Sequence, residues 1–177
     1  MKFDLLERRQ FTKLAGISSI GLALGLTTGL RRAEAIPPVR VDTPLAPLTL
    51  TGICPFDVLI EPLLNRNNQR LTTFFDRNGN QRLSLATGSL AIRLTNKVTG
   101  GSLVLNIPGP GTILGGGETL IATGPWVFFI PAGSVLGSPA LLYINGRTVM
   151  TFDASGNTSS IVWRGNVRDL CAELAVA

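Results

Sequence analysis

Apolar and polar side chains alternate with a period of two along several short segments of this chain. Leu90, Ile92 and Leu94 share one face of such a segment, and the same period recurs between Leu103 and Ile107. Successive side chains of a β-strand point to opposite faces, so a period of two indicates strands with one buried face. The pattern predicts an all-β fold built mainly of antiparallel strands.

Turn residues separate these segments at close intervals. Asn78-Gly79, Asn145-Gly146 and Gly156-Asn157 lie between apolar runs, and residues 97–101 have the composition of a further turn. Asn-Gly readily adopts the two positive φ angles of a type I′ hairpin turn. Short strands joined by such turns favour a seven- to eight-stranded sandwich or an up-and-down barrel.

Seven segments are expected to form strands, one interrupted at Gly124-Pro125 and one turning at Asn145-Gly146. They cover residues 57–63, 69–76, 82–95, 102–108, 118–130, 140–152 and 158–167. From Val167 to Leu174 the apolar residues have helical spacing, and Asn166 suits the N-cap position. A short C-terminal helix is therefore expected.

The first 35 residues have the organisation of an export signal. Arg8, Arg9, Phe11 and Lys13 match the twin-arginine motif R-R-x-F-L-K, although Thr12 stands where the motif usually has Leu. A glycine-diluted apolar stretch follows and ends at the small residues Ala33 and Ala35, which suit a cleavage site. We expect residues 1–35 to engage the twin-arginine export machinery and to be removed after Ala35.

The mature protein is then expected outside the cytoplasm, secreted or extracytoplasmic. The apolar stretch is too dilute for a membrane span, which needs about 20 strongly apolar residues, so no stable span is expected after cleavage. An uncleaved N-terminal anchor is the alternative. Pro37, Pro38, Pro44 and Pro47 predict that residues 36–48 form an extended tether, ahead of a single β domain over residues 49–177.

Charge and composition exclude several classes of function. Residues 36–177 carry ten Lys and Arg against eight Asp and Glu, with no basic run, so nucleic acid is not an expected partner. The chain contains no histidine. That excludes Ser-His-Asp and Cys-His catalysis and the commonest metal ligand, and we expect no cofactor and no metal site.

The two cysteines, Cys54 and Cys171, lie at opposite ends of the expected domain. In an exported chain such a pair favours a disulfide, with two buried free thiols as the alternative. A catalytic thiol is disfavoured because no histidine is available to activate it.

Other residue patterns suggest chemistry at first sight. Residues 76–80 and 153–157 resemble the start of a calcium loop, but the sixth and twelfth positions of the first are Gln81 and Thr87, so hairpin turns are favoured. Glycines between residues 109 and 117 lack the helix and lysine of a phosphate cradle and predict a flexible hairpin loop. Any catalytic carboxylate pair would have to come from different strands.

The most apolar run extends from Gly124 to Pro131. It suits a central strand buried on both faces. Alternatively, Trp126, Phe128 and Phe129 would form one wall of a cavity for an apolar ligand.

Several motifs of the mature domain resemble those of a group of small secreted proteins of actinobacteria. They are Cys54-Pro55-Phe56-Asp57-Val58, Leu71-Thr72-Thr73-Phe74-Phe75, Thr123-Gly124-Pro125-Trp126, Phe152-Asp153-Ala154-Ser155-Gly156-Asn157 and Asp169-Leu170-Cys171-Ala172. The resemblance implies a bacterial source and an exported location, and assigns no activity to any residue.

Taken together, the patterns favour an exported, non-enzymatic β domain that acts in binding or interaction at the cell envelope or outside the cell. One alternative is a barrel that carries a small hydrophobic ligand, which would require a closed apolar cavity. Another is a hydrolase that works without histidine, which would require two carboxylates converging in a cleft.

Overall fold

Eleven β-strands and one short helix make up residues 36–177, the part of the chain that the computed structural model describes. The strands are β1 (Val39–Asp42), β2 (Leu48–Leu50), β3 (Val58–Asn67), β4 (Arg70–Phe75), β5 (Gln81–Thr87), β6 (Leu90–Asn96), β7 (Ser102–Asn106), β8 (Gly111–Leu114), β9 (Thr119–Ile130), β10 (Ala140–Phe152) and β11 (Thr158–Asp169). The helix, α1, covers Leu170–Val176.

The strands form two antiparallel sheets. Seven strands pair in the order β1-β4-β5-β8-β9-β10-β11, and four pair in the order β2-β3-β6-β7. The all-β prediction is therefore confirmed, and the sandwich is the correct alternative because the strands divide between two sheets instead of closing into one barrel.

One core cluster lies between the four-stranded sheet, the helix and part of the seven-stranded sheet. It contains fully buried side chains from all three, among them Val58 and Leu94, Leu141 of β10, and Leu170 and Leu174 of α1. Strand alternation directs these apolar residues inward from both sheets.

A second cluster lies on the other face of the seven-stranded sheet. Its buried members are Ala122 and Phe128 of β9 and Ile144 and Met150 of β10. All four occupy even-numbered positions, whereas Leu141 of the first cluster is odd-numbered. The long strands β9 and β10 thus contribute opposite faces to two separate cores.

Three glycines lie side by side across the long strands. Gly124 of β9 pairs with Gly146 of β10, which pairs with Gly165 of β11. Gly124 and Gly165 have φ angles of 81° and 131°, which bend their strands.

The predicted strand pattern is wrong at three places. Gly124-Pro125 does not interrupt β9, which pairs with β10 without a break from Thr119 to Ile130. Residues 82–95 form two strands, β5 and β6, which belong to different sheets. They separate at Gly88, whose φ is 122° and whose missing side chain leaves room for the carbonyl of Asn68. Asn145-Gly146 is not a turn but lies inside β10, since both neighbouring strands supply hydrogen-bonding partners there.

Three short strands, β1, β2 and β8, were not predicted, so the total exceeds the expected seven or eight. Residues 36–48 are extended, as their prolines suggest, but Val39–Asp42 pairs with β4 at the edge of the larger sheet. In the glycine-rich segment, Gly111–Leu114 pairs with β5 and β9, and Gly115–Gly117 forms a single 3-10 turn.

The C-terminal helix is present, but it begins later than predicted. Strand β11 stays paired with β10 as far as Asp169, so the N-cap is Asp169 and not Asn166. The Asp169 carboxylate accepts hydrogen bonds from the N–H groups of Cys171 and Ala172. Within residues 36–177, no helix is long and apolar enough to cross a membrane.

Candidate interaction surface

The export signal predicted from the sequence lies outside the described residues. Arg8, Arg9, Phe11 and Lys13 of the motif, and Ala33 and Ala35 of the cleavage site, all precede residue 36. Export by the twin-arginine route and cleavage after Ala35 therefore stay predictions.

Cys54 and Cys171 form a disulfide, as predicted, with their Cα atoms 5.4 Å apart. The bond joins the segment between β2 and β3 to the first turn of α1. Because disulfides form and persist in oxidising compartments, this bond points to a location outside the cytoplasm.

The three aromatic residues proposed as a cavity wall do not share one surface. Trp126 and Phe128 face the second cluster, where their rings stack with centroids 6.0 Å apart. Phe129 points to the opposite face and is about half exposed. A Cβ atom at Gly109 would lie 2.3 Å from Nε1 of Trp126, so this glycine makes room for the indole ring.

Two open clefts lie at the surface of the domain. One, of about 530 Å³, is lined mainly by polar residues and contains Asp42, whose carboxylate pairs with the Arg70 guanidinium at 3.0 Å. The other, of about 640 Å³, surrounds the disulfide and contains Asp169, the helix cap. Each cleft thus has one carboxylate, already engaged by the protein, and neither is lined by Trp126, Phe128 or Phe129.

Asp76 and Asp153 organise two hairpin loops in the same way. In each loop the aspartate Oδ1 accepts the backbone N–H groups two and four residues later, and Oδ2 accepts the side-chain amide of Asn80 or Asn157. These hydrogen bonds, first those from Asn80 and Asn157, lower the pKa of both aspartates. The carboxylate oxygens that a calcium ion would need are thus already hydrogen-bonded within their own loops, which explains why these segments form hairpin turns.

The remaining ion pair locks the end of β11 to the helix. Arg168 donates from Nε to Oε1 of Glu173 at 2.8 Å and lies over the Tyr143 ring, 5.1 Å from its centroid. The hydrogen bond lowers the pKa of Glu173 and raises that of Arg168. Among residues 36–177, no group of three or more Cys, Asp or Glu could hold a metal ion.

Part of one face of the seven-stranded sheet, which we call the outer face, packs against neither core cluster. It consists of the side chains of β4, β5, β8, β9, β10 and β11 that point away from the second cluster. Seven are apolar, namely Phe74, Leu83, Leu85, Leu114, Ile121, Val149 and Val162, and five carry hydroxyl groups, namely Thr72, Thr112, Thr119, Thr151 and Ser160.

None of these twelve side chains is buried: Phe74 and Val162 are exposed, at 36% and 61%, and the other ten are half-buried. None of the seven apolar ones belongs to either core cluster or packs against it. On the same strands, by contrast, inner-face residues such as Ser84, Thr148 and Met150 are at most 5% exposed. Contiguous apolar surface of this kind marks interaction sites more often than chance exposure does.

Where the outer face is formed by β9, β10 and β11, charged residues border it on two opposite sides. On one side, the basic border, Arg147 and Arg164 lie directly opposite each other on β10 and β11, both exposed. Neither has a carboxylate partner within the described chain. On the other side, the acidic border, Glu118 and Asp153 lie in neighbouring turns joined by a hydrogen bond from the Phe152 N–H to the Glu118 carbonyl.

Sequence reasoning missed this surface, although its signal was present. Ile121 and Val149 lie within the strands predicted over residues 118–130 and 140–152, but the sequence does not indicate which face of those strands the domain buries. In β9 and β10 both faces are apolar, and alternation alone does not distinguish the buried face from the uncovered one.

These features define an all-β sandwich domain with one disulfide and one large uncovered sheet face. No family model matches the chain, and no curated protein or solved structure matches it.

Proposed function

We propose that this chain is an exported, non-enzymatic interaction domain that works at the cell envelope or outside the cell, and that the outer face is its interaction surface. The outer face carries the proposal, because its apolar side chains are left uncovered in a domain that has two other well-packed cores. Soluble proteins rarely maintain such a surface without a partner.

The carboxylates support an interaction role over hydrolysis. Five of the eight carboxylates of residues 36–177 have a structural partner within the domain, in an ion pair, a hairpin loop or a helix cap, namely Asp42, Asp76, Asp153, Asp169 and Glu173. Neither cleft contains more than one carboxylate. A general acid or base needs a carboxyl group that is free to exchange a proton with substrate.

The interaction surface is tested by placing a photo-crosslinking amino acid at Val162 in cells that produce the protein. Val162 lies on the outer face, and Val98, in the β6–β7 turn and 78% exposed, is the matched control position. We expect a crosslinked adduct from position 162 and none from position 98. Equal crosslinking from both positions, or none from either, would contradict the assignment of the outer face.

Export is supported by the Arg8-Arg9 motif together with the disulfide. We expect Arg8→Lys/Arg9→Lys to leave the precursor inside the cell, because the pair is the recognition element of the twin-arginine route. The control is Arg31→Lys/Arg32→Lys, which changes two arginines of the same leader outside the motif and preserves export. Immunoblots of cell and exported fractions make the comparison, and undiminished export of the first variant would refute this route.

A further inference from the structure

We infer that the outer face binds the outer face of a second copy of this chain, which makes the protein a two-fold symmetric dimer. This inference rests on the proposed function and names the partner of the same surface. Three properties of the face carry it: the order of its side chains, the placement of its charges, and its area.

The outer face consists of two parallel rows of side chains. The turn row, nearer the hairpin turns, is Phe74, Leu83, Leu114, Thr119, Thr151 and Ser160. The arginine row, nearer Arg147 and Arg164, is Thr72, Leu85, Thr112, Ile121, Val149 and Val162. Each strand contributes one residue to each row.

The two rows are complementary in size when one sheet is laid on another. On β4, β8, β9 and β11, one row has a hydroxyl residue where the other has a larger apolar residue, whereas β10 carries Val149 and Thr151, which are nearly equal in size, and β5 carries two leucines. Consider a two-fold axis that lies between the two copies, parallel to the two rows and midway between them. This axis places the turn row of one copy on the arginine row of the other. Phe74 then meets Thr72, Ile121 meets Thr119, and Val162 meets Ser160, so a larger side chain faces a smaller one at these contacts.

The same axis brings the charged borders together. Met150 of β10 lies at the level of the axis. Arg147 precedes it and Asp153 follows it, each by three residues or about 10 Å. The two-fold operation therefore carries the basic border of one copy onto the acidic border of the other. Glu118 comes beside Arg147 of the second copy, and Asp153 lies between its Arg147 and Arg164.

This placement also accounts for an unfavourable feature of the single chain. Arg147 and Arg164 are like charges directly opposite each other on neighbouring strands, an arrangement that destabilises a sheet. Two carboxylates brought against them by a second copy would relieve that repulsion. The strands of the two copies would be antiparallel and aligned, the usual arrangement of packed sheets.

The area of the outer face makes the proposed interface a small one. Six strands at a spacing of about 4.8 Å and a height of about 20 Å between the borders give roughly 500 Å² per copy. The total of roughly 1,000 Å² is at the lower limit for a specific interface. A reversible dimer that forms at micromolar concentration is therefore expected, not a permanent one.

The inference is tested by sedimentation equilibrium of the purified exported protein and two charge-reversed variants. We expect the natural protein to dimerise, and Arg147→Glu and Glu118→Arg each to raise the dissociation constant about tenfold or more, since each places like charges at two symmetric contacts. Mixed in equal amounts, the two variants should form a heterodimer, because the reversed charges then match at both contacts.

If mixing the two variants restores dimerisation, misfolding of either variant is excluded as the reason why it does not dimerise alone. Arg93→Glu, an exposed reversal on the four-stranded sheet, is the control and should leave dimerisation unchanged. A natural protein that stays monomeric up to about 100 µM overturns the inference, and so do single variants that dimerise normally or a mixture that stays monomeric.

The outcome separates the inference from the proposed function. A monomer in solution that still crosslinks from Val162 in cells keeps the outer face as an interaction surface and removes the second copy as its partner. In that case, cosedimentation with vesicles of anionic lipid, lost in Arg147→Glu, would assign the face to a membrane surface. A monomer that also fails to crosslink removes both proposals.

Discussion

At the scale of single residues, Asp76 and Asp153 show how a short motif fixes a loop. Each aspartate satisfies the N–H groups of its own turn, and Gly79 and Gly156 supply φ angles of 83° and 82°. The motif D-x-[N/S]-G-N therefore closes two hairpins by local interactions alone. No contact from elsewhere in the fold is needed, which is why the sequence predicted both turns.

These aspartates contribute to the pH dependence of stability, together with Glu173, whose pKa is also lowered. Their pKa values are lowered in the folded state, so their contribution is complete above the unfolded value of about 4 and is lost as the pH falls through the folded values. Since the chain has no histidine and its cysteines are paired, we expect thermal stability to be nearly constant between about pH 6 and 7.5 and to decline below about pH 4.

Thermal melts at constant ionic strength measure this dependence. Asp76→Asn/Asp153→Asn should lower stability at neutral pH and flatten the decline in acid. A slope between pH 6 and 7.5 in the natural protein would reveal a carboxyl group of strongly raised pKa, and would favour a catalytic site over an interaction domain.

At the scale of elements, the row of three glycines lets the long strands serve two cores. Gly146 has no positive φ, so any residue could adopt its backbone conformation. Glycine is required at position 146 because there is no room for a side chain: a Cβ atom there would lie 2.0 Å from the Arg164 carbonyl oxygen of the neighbouring strand. The requirement arises between strands and is invisible in the local sequence.

Gly146→Ala should therefore destabilise the protein by about 3 kcal/mol or more, because β10 and β11 must separate to admit the methyl group. Gly133→Ala is the matched control: Gly133 has a φ of 79° but open space around it, so only backbone strain of about 1–2 kcal/mol is expected there. Urea unfolding of both variants gives the comparison. A smaller effect at Gly146 than at Gly133 would show that the strands are not in close contact at this row.

At the scale of the whole molecule, seven strands in one sheet and four in the other leave part of the larger sheet without a covering layer. The helix and the smaller sheet cover the region around Leu141. Beyond the glycine row, the side of the larger sheet that carries Ile121 and Val149 has no such cover. The unequal sheets thus produce the outer face, and with it the proposed dimer.

The disulfide acts at this scale too, because it closes a loop of 117 residues around nearly all of the domain. We expect Cys54→Ser/Cys171→Ser to lower stability by about 2–5 kcal/mol, mainly by freeing the unfolded chain. The change is measured by urea unfolding of the variant against the oxidised natural protein. If the natural protein in reductant loses as much stability as the variant, the bond itself is responsible, whereas unchanged stability in both would show that the cysteines contribute little.

The sequence by itself determined most of what depends on neighbours along the chain, and one long-range pairing for which it offers a single pair of partners. Period-two alternation identified most of the strands and the all-β class, the Asp-x-Asn/Ser-Gly-Asn motifs identified two hairpins, and the expected export favoured the pairing of Cys54 with Cys171. Each of these follows from local backbone preference or from the absence of any other partner.

Only the tertiary structure decided what depends on contacts between distant segments. It divided residues 82–95 between two sheets at Gly88, put Gly146 inside a strand instead of a turn, and gave buried Asn96 the carbonyl of Leu174 as a partner. It also left one apolar face of β9 and β10 uncovered. Alternation shows that a strand has an apolar face, but what packs against that face depends on the layers of the whole fold.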